Sequence, residues 1–274
     1  DLVDSNKTLN AIKYADPDLV FHLAAESHVD RSISGPIEFI NSNIVGTYNL
    51  LNSLRNHYEK LSPERQKNFK LIHISTDEVF GELGLSGYFS ENSQYSPRSP
   101  YSASKAASDH LVNAWFHTYG LPSVITNCCN NYGPRQFPEK LIPVVISKAL
   151  SKQNIPMFAQ GENIRDWLYV EDHISALLLI AEKGEAGEHF CIGAGEEYSN
   201  KEVINIICDI LDEKRPDKFS YNRLITSVDD RLGHDFRYAI DSSKLKKNLA
   251  WKPKYNFKEG IQITIDWYLK NTQW

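Results

Sequence analysis

Apolar residues recur along the chain in two different periods, and the switching between them predicts its elements. Leu19-Val20-Phe21-His22-Leu23 is a short apolar run closing on Ala24-Ala25, the pattern of a strand buried on both faces of a parallel sheet. After Pro36, the residues Ile37, Ile40, Ile44, Thr47, Leu51 and Leu54 fall at helical spacing and predict a helix with one apolar stripe. Lys70 to Ser75 reads as the next strand. Ser99-Pro100 joins a capping residue to a proline at the first helical position, and the helix it opens carries Tyr101, Lys105, Leu111 and Trp115. Ser123 to Cys128 is the strand that follows. This alternation predicts an α/β fold with a doubly wound parallel, Rossmann-like sheet and right-handed crossovers.

From about Gln136 the regularity loosens. A helix is expected near Leu141 to Leu150, a short extended run at Ile155 to Ala159, and an amphipathic helix from about Glu171 to Lys183. Ser199 with Glu202 forms a capping box for a helix through Leu211, and Phe257 to Leu269 is a last apolar-striped helix. Residues 1–135 are therefore expected to form a Rossmann-like domain, incomplete at its N-terminus. Residues 136–274 should form mainly a smaller α/β lobe, with some return to the first domain.

With 274 residues, 41% hydrophobic and 24% charged, the chain is long enough to bury a sizeable core. Its net charge of −5 and pI near 6.0 offer no basic field to a polyanion, so nucleic acid is not an expected partner. No apolar run reaches membrane-spanning length, and no signal-peptide pattern opens the chain, so a soluble cytoplasmic protein is expected. Cys128, Cys129, Cys191 and Cys208 show neither a Cys-x-x-Cys pair nor a zinc-like spacing, and read as buried reduced thiols.

In open α/β sheets ligands sit beyond the carboxyl ends of the strands, and here those ends turn abruptly polar. Tyr101 and Lys105 stand at i and i+4, so on a helix both can address one ligand. A nearby ammonium favours the phenolate, and moving a tyrosine from its ordinary pKa of about 10 toward neutrality takes roughly 4 kcal/mol. A surface tyrosine over a solvated lysine has the same spacing, so the pair takes its meaning from its surroundings. Ser75-Thr76-Asp77-Glu78 ends the preceding strand. Adjacent carboxylates suit paired work: one kept protonated by burial can protonate a leaving hydroxyl while its ionised neighbour removes a proton. Thr76 would hold a substrate hydroxyl; a solvated turn is the alternative for all three.

Tyr101-Ser102-Ala103-Ser104-Lys105 resembles the catalytic helix of the extended short-chain dehydrogenase/reductases. Residues 22–32, 74–81, 130–134 and 165–173 resemble more narrowly the dTDP-glucose 4,6-dehydratase family of that superfamily, and the likeness runs over nearly the whole chain. Thr76-Asp77-Glu78 discriminates, since nucleotide-sugar epimerases of the superfamily usually lack the acid pair. The resemblance implies a lyase acting on dTDP-glucose, with NAD+ borrowed and returned. In it Tyr101 takes the C4 hydroxyl proton, Lys105 supports Tyr101 and holds the nicotinamide ribose, Glu78 removes the C5 proton, and Asp77 protonates the departing C6 hydroxyl.

The resemblance also implies cofactor contacts at Asp1, Leu2, Leu23, Ala24, Ala25, Ser27, Ser42 and Asn131, besides Tyr101 and Lys105. Substrate contacts are implied at Ser27, Thr76, Asn130, Lys140, Leu141, Pro156, Phe158, Arg165, Asn200, Asp230, Arg231 and His234. Arg165 and Arg231 suit a pyrophosphate, because planar guanidinium forks bind phosphate oxygens in pairs, and Phe158 suits stacking on the base. A homodimer through the helices after Pro36 and Pro100 is implied as well.

Two departures stand out. No Gly-x-x-Gly-x-x-Gly precedes Asp1, although that loop cradles a dinucleotide pyrophosphate at a helix N-terminus. The first strand, its helix and the second strand are expected to be missing, and with them tight NAD binding and full activity. Leu232 stands where family members commonly carry proline. Two other readings stay open: a nucleotide-sugar epimerase or decarboxylase that leaves Asp77 and Glu78 idle, and a non-catalytic sugar-nucleotide-binding protein.

Overall fold

The computed structural model describes residues 1–230 and 232–274. Its chain runs through α1 (Ser5–Ala15), β1 (Leu19–His22), short α2 (Val29–Ser34) and α3 (Pro36–Phe39), a π-helical turn at Ile40–Val45, α4 (Gly46–Tyr58), α5 (Pro63–Asn68) and β2 (Lys70–Thr76). A long connection reaches α6 (Pro100–Tyr119), β3 (Ser123–Cys128), β4 (Asn130–Tyr132), α7 (Leu141–Leu150), β5 (Ile155–Phe158), β6 (Ile164–Tyr169) and α8 (Val170–Lys183). Beyond these lie β7 (His189–Ile192), β8 (Glu197–Ser199), α9 (Asn200–Lys214), β9 (Ile225–Val228), α10 (Ser243–Leu249) and α11 (Phe257–Lys270).

Strands β1, β2, β3 and β7 form one parallel sheet in that order. Thr76 pairs with Cys128, so the carboxyl ends of β2 and β3 lie side by side where both turn polar. Side chains alternate faces along β2. Leu71 packs with Leu50, Leu54, Val112 and Leu121 under α4 and α6, whereas Ile72 packs with Leu177, Ile180 and Phe190 on the α8 side. Helices thus cover both faces, and the sheet is doubly wound. β7 arises where the sequence periodicity loosens, yet it returns to this sheet beside β3.

Two expectations are corrected. β1 is not buried on both faces: it is the edge strand of the described sheet, so Leu19 is exposed, Val20 and Phe21 are half-buried, and His22 alone is fully covered. The stripe after Pro36 is also broken. The π-helical turn widens the spacing, so that Phe39, Asn43, Thr47, Leu51 and Leu54 face inward while Ile37, Ile40, Val45 and Tyr48 are exposed. Asn43 explains what that turn achieves. Its Oδ1 accepts from the Glu26 backbone N–H at 2.8 Å, and its Nδ2 donates to the Glu26 carbonyl at 3.0 Å and to Ser104 Oγ at 2.8 Å. The loop leaving β1 is thereby tied to α6.

A second core gathers Tyr132, Ile142, Val145, Trp167, Ile204 and Phe257 among α7, α9, α11 and the short strands β4 and β6. The capping signals hold: Ser99 forms a capping box with Ser102 at the start of α6, and Ser199 forms one with Glu202 at the start of α9. All four cysteines are buried free thiols. No helix among the described residues is long and apolar enough to cross a membrane.

Candidate functional site

The polar ends of β1, β2 and β3 open on a single cavity of about 570 Å³, walled on its other side by α7, β5 and β6. β2 ends at Thr76, and the chain turns at once into a 3-10 turn, Asp77–Phe80. Thr76 caps that turn: its Oγ1 accepts from the Glu78 N–H at 3.3 Å and donates to Asp77 Oδ1 at 3.2 Å. Gly81 closes it at φ 89°, and a Cβ there would lie 2.5 Å from the Ser96 carbonyl oxygen. Only glycine takes that conformation without strain, so the acid pair is held in a turn that its sequence alone permits.

Tyr101 and Lys105 come from the first turns of α6 and are both buried. Lys105 donates from Nζ to the Ile74 carbonyl at 2.8 Å, which fixes it against β2 just below the acid pair. Phe39 packs edge-on against the Tyr101 ring at 6.3 Å between centroids.

Burial sorts these groups electrostatically. Asp77 is 2% exposed, and burial first, then the neighbouring Glu78, holds its carboxyl well above the usual range. Its Oδ2 has no hydrogen-bond partner among the described residues. Burial thus favours the neutral, proton-carrying form of Asp77, while Glu78 beside it is half-buried. The expected lowering of Tyr101 is not present: burial, followed by Glu78, pushes its phenol up, with Thr76 acting the other way. Lys105 is lowered by burial and held up by Asp109. A further positive charge beside Tyr101 is needed to ionise it.

The cavity brings together Thr76, Asp77, Glu78, Tyr101 and Lys105 with Leu23, Ala25, Ser27, Asn130 and Asn131. Lys140, Leu141, Pro156, Phe158, Arg165, Asn200 and His234 complete the predicted residues on its wall. Lys140 reaches from the edge of α7 to donate to the Ser27 carbonyl. Phe158 is 37% exposed, as a stacking platform requires. Arg165 is more constrained than expected. It donates to the carbonyls of Ile164 at 2.7 Å, Asp235 at 2.8 Å and Phe236 at 3.1 Å, and lies over the Tyr238 ring, so much of its fork fixes the 235–236 segment.

Five predicted residues lie off the cavity wall. Asp1 folds back to accept from the Val3 N–H, and the Leu2 carbonyl accepts from Asn49 at the start of α4. Ala24 is exposed, Ser42 sits on the π-helical turn, and Asp230 pairs with His234 Nδ1 at 2.6 Å. Arg231 lies outside the described residues. His173, Cys128 and Cys129 also line the cavity, without being among the residues expected there. Burial lowers His173 to about 4, and its Nε2 has no partner among the described residues. Its signal was its place at the end of the 165–173 segment.

Residues 1–264 match the family model described as GDP-mannose 4,6 dehydratase. A dTDP-glucose 4,6-dehydratase of Salmonella typhimurium is 52% identical over 283 aligned positions, covering all of this chain and 78% of that protein. The chain belongs to the dTDP-glucose 4,6-dehydratase family. The solved structure of DesIV, a dTDP-glucose 4,6-dehydratase from Streptomyces venezuelae with NAD bound, superposes with a TM-score of 0.91 at 38% identity. That match covers the whole of this chain and 79% of DesIV. A UDP-glucose 4-epimerase from Thermus thermophilus, solved with NAD, has a TM-score of 0.87 at 28% identity over 98% of this chain and 83% of its own. Dehydratases and epimerases thus share the fold, and within this family the buried Asp77 beside Glu78 is the feature that needs a chemical account.

Proposed function

We propose that the chain acts as a dTDP-glucose 4,6-dehydratase, converting dTDP-glucose to dTDP-4-keto-6-deoxyglucose with NAD recycled. The observation that carries this reading is the division within the acid pair: Asp77 is buried, which favours its protonated form, while Glu78 is half-buried at the same strand end. An epimerase has no use for an acid of that kind.

The Tyr101 oxygen takes the proton of the C4 hydroxyl as C4 becomes a ketone. That ketone acidifies C5, and the Glu78 carboxylate takes the C5 proton. Asp77 gives its proton to the C6 hydroxyl, which leaves as water, and a double bond forms between C5 and C6. Reduction at C6 and return of the Glu78 proton to C5 give the 4-keto-6-deoxy sugar. Over this cycle Tyr101 gains one proton and Asp77 loses one. The Thr76 hydroxyl, bonded to Asp77 at 3.2 Å, is placed to hand it back.

NAD, when bound, supplies the redox chemistry, keeping the electron pair taken from C4 until it is returned at C6. Leu23, Ala25, Asn131, Tyr101 and Lys105 would hold its nicotinamide end. They fit: all line the cavity, where Asn131 Oδ1 and His173 Nε2 are buried without a partner among the described residues. Asp1 and Leu2 would serve the adenosine half, and Ala24 and Ser42 would line the dinucleotide. Ser27, Asn130, Lys140, Arg165, Asn200 and His234 would hold the sugar nucleotide, with Phe158 against its base.

A cytoplasmic homodimer belongs to the same reading. Exposed Ile37, Ile40, Val45 and Tyr48 form an apolar patch, and Tyr48 packs on Trp115 of α6 at 5.9 Å, which joins the two helices into one face. The decisive experiment incubates the full chain with NAD+ and dTDP-glucose and reads the product by mass and NMR. Loss of one water and a new C6 methyl signal are expected; a 4-epimer of unchanged mass, or no turnover in protein shown to hold NAD+, would refute the reading.

A further inference from the structure

Below the cavity, between β2 and α6, lies a buried polar cluster that the steps above leave unused. Asp109 stands one helical turn beyond Lys105, so the two side chains share a face of α6, and it is 1% exposed. It accepts from His73 Nε2 at 3.0 Å, Ser75 Oγ at 2.8 Å, Tyr95 OH at 2.9 Å and Asn127 Nδ2 at 3.4 Å. Burial acts to raise its carboxyl, but these donors, His73 foremost, hold it below the ordinary range. His73 passes the network on, with its Nδ1 2.9 Å from His22 Nδ1. If His73 donates from Nε2, its Nδ1 accepts from His22, and both rings are neutral. Burial lowers both histidines, which agrees.

The remaining ionisable groups facing the cluster are Tyr95 before α6, Cys128 on β3, and His189 and Cys191 on β7, with Glu91 and Lys244 acting on the last two from beyond the cluster. Burial favours the neutral form of each facing group. Asp77 and Glu78 stand on the Tyr101 side. Only two charges are left within the cluster, Asp109 and Lys105.

We propose that Asp109 is a positioning residue for the reaction, the fixed counter-charge that keeps the buried Lys105 ammonium charged and seated beneath Tyr101. Without it, Lys105 has one carbonyl partner and almost no solvent, and it sheds its proton more readily. Tyr101 then loses the positive field that favours its phenolate. The inference rests on the roles given above to Tyr101 and Lys105.

Asp109→Asn in the full chain, assayed with NAD+ and dTDP-glucose, tests it. The acidic limb of kcat is expected to move up by about one to three pH units, the effect of one nearby opposite charge. Turnover at neutral pH falls about tenfold per unit and recovers in alkali, with KM unchanged. A fall equal at every pH, or one confined to KM, would mean that Asp109 serves folding alone. A second readout needs no turnover: a carbon-13 NMR titration of Lys105 in lysine-labelled protein, assigned by its loss in Lys105→Met. A lower midpoint in Asp109→Asn is expected, and an unmoved midpoint overturns the proposal whatever the reaction is. Should Asp109→Asn not fold, the parent decides: Lys105 must still be charged at neutral pH in its carbon-13 titration, and a midpoint below neutral overturns the proposal. A shifted Lys105 midpoint together with a product other than the 4-keto-6-deoxy sugar would sink the dehydratase reading and leave this one standing.

Discussion

Replacing Asp77 by asparagine should abolish elimination and at the same time stabilise the protein. The substitution keeps the shape of the side chain and its contact with Thr76 but removes the proton proposed to go to the C6 hydroxyl. Losing a general acid typically costs about 10²- to 10⁴-fold, or roughly 2.7 to 5.4 kcal/mol in the barrier. The gain in stability follows from the same burial. Because the folded carboxyl is held above its ordinary value of 3.8, the folded chain keeps a proton that the unfolded chain releases. Stability is therefore lost as pH rises from that ordinary value toward the folded one. Asp77→Asn has no such titration. Its unfolding free energy relative to the parent should rise by about 1.4 kcal/mol per pH unit through that window and then level off. Each kcal/mol moves the melting temperature on the order of 2–4 °C. Urea unfolding over a pH series, without ligand because bound ligand adds its own stabilisation, measures the slope. A difference independent of pH, or a variant less stable than its parent at neutral pH, would refute a raised Asp77 carboxyl.

Glu78→Gln should still allow oxidation at C4, seen as transient absorbance of reduced cofactor. Exchange of the C5 hydrogen with solvent should slow by about 10²- to 10⁴-fold, and exchange at the parent rate would remove Glu78 as the C5 base. Gly81→Ala places a Cβ 2.5 Å from the Ser96 carbonyl at a left-handed φ, which should cost about 1–3 kcal/mol in denaturant unfolding and lower kcat; an unchanged midpoint would show that the turn adapts. Tyr48→Arg puts a charge in the exposed patch across α4 and α6. Sedimentation should then report a monomer with native circular dichroism, and an unaltered dimer would move the interface elsewhere.

What was legible in the sequence was what is local. Ser99-Pro100 and Ser199 with Glu202 announce their helices through residues three apart, and both helices begin there. β6 to β9 were not legible, because short strands are defined by distant partners: Ile155 pairs with Ile225, and Ile125 with His189. The helix after Pro36 misled for another reason. A regular period cannot register a π-helical turn, and the hydrogen bonds of Asn43 to Glu26 and Ser104 that favour it join three separate segments. The apolar residues displaced from the core by that turn became the exposed patch.

The site shows the same limit at the level of protonation. Asp77 and Asp109 are one residue type, both almost wholly buried within a few ångströms of β2. Their carboxyls are shifted in opposite directions: burial and then Glu78 raise Asp77, whereas the donors around Asp109, His73 foremost, outweigh its burial. Asp109 accepts from four groups, which favour its ionised form; Asp77 accepts from the Thr76 hydroxyl at 3.2 Å and has one oxygen without a partner among the described residues, so little opposes the rise that burial causes. Strand alternation makes that difference, since Ser75 points toward α6 and holds Asp109 while Thr76 turns the other way and caps the acid pair. A one-residue shift in the register of β2 would exchange those roles. The acid proposed for the elimination is thus placed by where the strand stops as much as by the Asp-Glu pair itself.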